Sequence, residues 1–201
     1  MNLIRFNSIA VVGVALALGA CAKADKTATT NDSAAGAMAA DSSAMAPAAP
    51  ALTDANIVAI LDAASVADSA AGKVASTKGT HSDVVSFGKM MMGEHHALRV
   101  AGQNLAKAQS ITPMAPAGDG SQAAADLNMV KLNDTAKGAA WDKAYIDHEV
   151  TYHEQVLQTA TSAKNATQNA ELKALIDTAA PIIQKHLDRA KAIQSKLATA
   201  M

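Results

Sequence analysis

From Thr53 onward, apolar residues return at alternating steps of three and four, the spacing that lays one stripe along an α-helix. Ile57, Leu61, Ala64, Asp68, Ala71 and Ala75 form the first such stripe. Thr53 or Asp54 can cap this helix, and Gly79 closes it after about Lys78. Ser82 can cap a second helix whose inward positions are Val84, Gly88, Met91, His95, Leu98, Gly102 and Leu105. The stretch Thr112 to Gly120, rich in Pro and Gly, breaks the pattern. Gln122 to about Thr135 reads as a short helix lying across one end of the molecule. After Gly138 comes a third long helix with the stripe Ile146, Glu149, His153, Val156 and Ala160. A fourth starts near Asn169 and carries Leu172, Leu175, Ala179, Ile182, His186, Ala190, Ile193 and Leu197. Pro181 lies within it and should kink or split it. Four long amphipathic helices and one short one predict an all-α fold over residues 53–201, an antiparallel four-helix bundle of the ferritin-like class. The stripes are rich in Ala and Gly, so the helices should approach closely.

The first twenty residues break this pattern. Met1 to Ala20 holds one cation, Arg5, and then an apolar run too short to span a bilayer. It ends Leu18-Gly19-Ala20-Cys21, which resembles a bacterial lipobox and predicts a signal peptide cut before a lipidated Cys21. Ala22 and Lys23 follow, without the aspartate of an inner-membrane retention signal, so the expected location is the periplasmic face of the outer membrane. Acyl chains, at about 0.8 kcal/mol per buried CH₂, would make the membrane the first partner. Residues 21–52 are Ala, Ser, Thr, Asp, Met and Pro without apolar periodicity and read as a tether.

Composition narrows the chemistry. A net charge of −1 argues against a nucleic-acid partner, and a lone cysteine excludes a disulfide framework or a Cys-rich metal site. No haem-attachment motif, nucleophile elbow or phosphate-binding glycine loop is present. What stands out is an ionisable residue on the apolar stripe of every long helix: Asp68, His95, Glu149 with His153, and His186. Charged groups are rarely buried without partners, so these interruptions require a reason. One is a bundle-core site for zinc, iron or manganese, built from imidazoles and carboxylates on facing helices. The other is a hydrogen-bonded network that sets helix register and binds nothing, and this is the favoured expectation. The Glu-x-x-His spacing of di-iron bundles is absent; Glu149 and His153 are four apart. Counting residues along an up-down arrangement puts Asp68, His95 and His153 level, with His186 roughly five to seven residues higher and nearer Glu149. His96 and His148 should face solvent. Met91 should join the core, with Met90 and Met92 packed beneath neighbouring helices. Trp141, Tyr145 and Tyr152 should pack along the third long helix.

Met91-Met-Gly-Glu94-His95, Leu105-Ala106 and Pro113, followed by Trp141-Asp142-x-x-Tyr145-Ile146, His153, Pro181 and His186-Leu187, occur in an order that resembles the bacterial domain-of-unknown-function family DUF4142. The resemblance spans about Thr53 to Leu197. Trp141 stands where that family usually has phenylalanine, and Asp68 where its first helix usually carries glutamate. The resemblance implies a ferritin-like helical bundle in an exported or outer-membrane protein and leaves its activity unassigned. The functional expectation is therefore a non-enzymatic envelope or stress-related binding protein with a protein partner yet to be named. The alternative is a metal-binding or metal-dependent redox protein using the buried cluster.

Overall fold

The computed structural model describes residues 52–199, which form five α-helices and, among the described residues, no strand. The segment read as a signal peptide, Cys21 and nearly all of the stretch read as a tether lie outside the described residues. The helices are α1 (Asp54–Lys78), α2 (Ser82–Ala108), α3 (Ser121–Asp134), α4 (Ala139–Ala166) and α5 (Ala170–Thr199). Thr53 caps α1 through a reciprocal box with Asn56, each side chain accepting from the other's backbone N–H. The Asn56 amide also donates to the Met114 carbonyl at 2.9 Å, tying the long α2–α3 connection to the start of α1. The cap of α2 is His81, one residue before the expected Ser82, because the His81 Nδ1 accepts from the Asp83 N–H. Asp142 of α4 clamps this α1–α2 turn: its buried carboxylate accepts from the Thr80 N–H at 2.9 Å, the His81 N–H at 2.7 Å and the Thr80 hydroxyl.

α1 and α2 run antiparallel in close contact. A Cβ added to Gly72 would stand 2.6 Å from the Gly88 carbonyl oxygen, and one added to Gly88 would stand 2.7 Å from that of Gly72. α4 and α5 also run antiparallel, with Asp147 beside Gln194 and Lys164 beside Asp177. α2 packs on α5, and α1 packs on α4. Two apolar clusters occupy the two ends of this interior. Val84, Phe87, Trp141, Tyr145 and Ile193 lie at the end of the α1–α2 turn, and Ile57, Val58, Ala160, Leu172 and Ile176 at the other. Trp141 and Tyr145 stack at 5.6 Å and are fully buried, as expected of the chain's few large side chains.

Three expectations need correction. α3 does not cross an end of the molecule; it lies lengthwise over α1 and α4. Its Ser121, Asn128 and Met129 line one cavity with Asp68, His148 and Tyr152, while the Leu132 carbonyl accepts from the Trp141 indole N–H at 2.8 Å and from the Lys78 ammonium at 2.7 Å. Pro181 does not split α5, which is one continuous helix through it. Pro181 is on the exposed face, so the carbonyl it leaves without a helical donor faces solvent. Its buried stripe runs through Ile176 and Ile183, with Leu175 and Ile182 half-buried beside it. Finally, Met92 is exposed, while Met91 is in the core and Met90 is half-buried.

Candidate metal centre

Asp68, His95, Glu149, His153 and His186 all converge between the two apolar clusters, and none is more than 2% exposed. Each comes from an element whose register has an independent cause. α1 and α2 are set by the Gly72–Gly88 approach, α4 by the Asp142 clamp, and α5 by its contacts along α4. The three imidazoles form a closed group, with ring centres 5.1 Å apart for His95–His186, 5.4 Å for His153–His186 and 5.7 Å for His95–His153. His186 is therefore level with His95 and His153, not higher and beside Glu149. The unbroken α5, aligned on α4 by Asp147–Gln194 and Glu154–Lys191, sets that height.

The outer nitrogens of two rings are held. His186 Nε2 bonds the Glu94 carboxylate at 2.8 Å, and His153 Nδ1 bonds the Glu149 backbone carbonyl at 2.9 Å. Both contacts make the outer nitrogen the N–H and leave the lone pair on the other nitrogen. Those inner nitrogens, His186 Nδ1 and His153 Nε2, are buried without a hydrogen-bond partner. So are both nitrogens of His95, Asp68 Oδ2 and both carboxylate oxygens of Glu149. Asp68 Oδ2 is 3.3 Å from His95 Nε2 and 4.0 Å from His153 Nε2, while Glu149 Oε2 is 3.4 Å from His153 Nδ1. The donor atoms fall into two overlapping sets that share His153. One is His95, His153 and His186; the other is Asp68, Glu149 and His153, and within each set the atoms lie within 4.8 Å of one another.

Burial sets the charge states. Desolvation pushes the Asp68 carboxyl well above its usual range. It does the same to Glu149, helped by Asp68. It also holds His95 down to about 3 and His153 to about 4, and lowers His186. Every one of these shifts favours the neutral form, imidazoles with free lone pairs and protonated carboxyls. Glu94 is different. Partial burial raises its pKa, but the His186 and Lys185 contacts outweigh that and hold it ionised.

Glu94 is the site residue that sequence reasoning missed. It lies next to His95 but around the helix from it, and is one-third exposed, so no interruption of an apolar stripe marked it. The acid preceding the histidine in Met91-Met-Gly-Glu94-His95 was the available signal. His96 is exposed as expected, whereas His148 is half-buried and stacks on Tyr152 at 5.5 Å.

A group of buried donors this size admits two uses. Fully paired, it would be a register-setting network. These atoms are instead unpaired, at a cost of roughly 1–3 kcal/mol for each buried polar group left unsatisfied. Ligands about 2.0–2.2 Å from a tetrahedral ion stand roughly 3.3–3.5 Å apart. The 3.3 Å between Asp68 Oδ2 and His95 Nε2 already meets that spacing. The backbone-held His153 and carboxylate-held His186 have the outer support that orients metal-binding imidazoles.

A protein-family model described as Domain of unknown function (DUF4142) matches residues 38–193, starting within the stretch read as a tether and ending in α5. No curated protein and no solved structure matches the chain.

Proposed function

The chain belongs to the DUF4142 family, and from that starting point we propose that it is a helical-bundle protein that binds one divalent transition metal ion. His95, His153 and His186 supply nitrogen ligands, and Asp68 supplies an oxygen. Glu149 is the further carboxylate within reach of His153. The observation that carries this reading is the set of buried, unpartnered donor atoms facing one another from four helices. A register-setting network would have paired them. Imidazole and carboxylate donors suit zinc, iron or manganese. The four long helices are read as an antiparallel, ferritin-like bundle, which supplies four inward faces for such a site.

The test begins with elemental analysis of protein purified without tags or chelators. Thermal melts of chelator-stripped protein with added Zn²⁺, Mn²⁺ or Fe²⁺ follow. A metal at 100 times its dissociation constant adds roughly 2.7 kcal/mol. At roughly 2–4 °C per kcal/mol for a chain of this size, that is a rise of about 5–11 °C. Asp68→Asn with Glu149→Gln and His153→Leu removes ligand character while keeping most of the volume, and should abolish the rise. No rise with any of these metals in the wild type would overturn the reading.

We further propose that the protein works in the cell envelope, lipid-anchored through Cys21 at the periplasmic face of the outer membrane. The lipobox-like sequence before Cys21 supports this. Cys21→Ser should move the protein from the membrane fraction to the soluble fraction. Unchanged membrane association would refute the anchor.

A further inference from the structure

An apolar cavity of about 40 Å³ lies between α1, α2, α4 and α5 and has His95 on its wall. Val58, Leu61, Ala64, Leu98, Val156 and Ile183 form most of its surface. Its other polar groups are occupied. The Ser65 hydroxyl donates to the Leu61 carbonyl at 2.9 Å. Asp62 is held by Arg99 at 3.0 Å and by Gln103 at 2.9 Å. Asp62 and Arg99 are part-exposed, so this ion pair marks the mouth of the cavity. Farther in, the imidazole of His95 is the polar group left, and neither of its nitrogens has a partner.

Water needs two to four polar partners to be stable in a buried space, and this one offers a single unpartnered side chain. An apolar void of this kind stays dry and accepts small apolar molecules. Its volume exceeds the roughly 10–15 Å³ required by one water but leaves no room for an organic substrate of ordinary size. We infer that the cavity is a binding site for a small uncharged apolar molecule of diatomic size, held against the His95 edge of the metal centre. Placing the ligand beside a metal rests on the function proposed above; occupation of the cavity does not. Such a site would deliver an apolar gas to the centre while the Asp62–Arg99 pair and the apolar walls keep ions and bulk water from this side.

The experiment uses metal-stripped protein labelled with ¹³C at Ile, Leu and Val methyls, titrated with xenon and then with dioxygen under pressure. Xenon should shift the methyl signals of Leu98, Val156 and Ile183, and dioxygen should broaden the same signals. Those of Val84 and Ile193, in the cluster at the other side of the centre, should stay nearly unchanged. Ala179 also lines the cavity. Ala179→Leu, or Ala64→Val should the first variant fold poorly, fills the space and should weaken the xenon response at least tenfold. Equal responses throughout the protein, no response at high pressure, or a response that survives filling would overturn the inference. A xenon response in protein that binds no metal leaves this site standing and refutes the metal centre. Metal binding without a xenon response does the reverse.

Discussion

At the scale of single residues, the centre is distinguished by how its imidazoles are held from behind. His186 is fixed by Glu94, and a carboxylate on the outer nitrogen both orients the ring and raises its basicity as a ligand. Glu94→Gln removes the charge while keeping the shape. Loss of such an outer partner typically costs 10–100-fold in metal affinity. A competition titration against a chromophoric chelator should show a loss of that order. Glu94 is one-third exposed, so melts of the metal-free variant should differ little from wild type. An affinity equal to wild type would mean that His186 is not a ligand.

At the scale of helices, the α1–α2 contact governs whether Asp68 meets His95. Gly88→Ala places a Cβ 2.7 Å from the Gly72 carbonyl oxygen, 2.8 Å from the Ala75 Cβ and 2.9 Å from the Ser76 nitrogen. Two of these neighbours are backbone, so the helices must separate, at a cost of roughly 1–3 kcal/mol or more. Gly93→Ala is the opposite case. It lies on the same helix, and nothing beyond that helix's own backbone comes within 4 Å of the added atom, so replacing this mid-helix glycine adds roughly 0.5–1 kcal/mol of stability. Parallel melts by circular dichroism should therefore move in opposite directions. A neutral Gly88→Ala would show that the close approach does not hold the helices together.

At the scale of the whole molecule, the neutral cluster gives the metal-free protein an unusual dependence on pH. His95 and His153 have folded pKa values of about 3 and about 4 against an ordinary 6.5. Below about pH 6.5 the unfolded chain takes up protons that the folded state refuses, so stability falls as the pH drops toward 4. Asp83 and Asp147, whose carboxyls surface lysines hold below their usual range despite some desolvation, steepen the same acid limb. Asp68 and Glu149 act in the other direction. Their raised folded pKa values keep stability at low pH and lose it as rising pH ionises the unfolded chain alone. Stability of metal-free protein should therefore pass its maximum by about pH 6.5, where the histidine gain is complete, and fall on the acid side of it as well as beyond it. Bound metal, by accepting the ionised carboxylate, should flatten the alkaline decline. Melts between pH 4 and pH 9 would check this, and a steady rise to pH 9 in the metal-free protein would contradict it.

The helices themselves were legible before any coordinates, because caps and stripes are local. Thr53, Gly79 and Gly138 bound their elements as the spacing requires, and the Asp, Glu and His interruptions of the stripes all proved to be buried. A periodic pattern records which face of a helix is inward, and so which polar residues must share the interior. It does not record height or direction between helices. The level of His186 depended on α5 passing Pro181 unbroken, and the lengthwise path of α3 depended on the Leu132 carbonyl meeting Trp141 and Lys78. Glu94 entered the site through a contact with a residue 92 positions away, from a part-exposed side of α2 that periodicity assigns to solvent. Periodicity thus determined which side chains are enclosed. Only the contacts between helices, backbone against backbone where Gly72 meets Gly88 and carboxylate against backbone where Asp142 holds the α1–α2 turn, decided which enclosed atoms face each other unpaired, because distances between helices are set by contacts that no single helix contains.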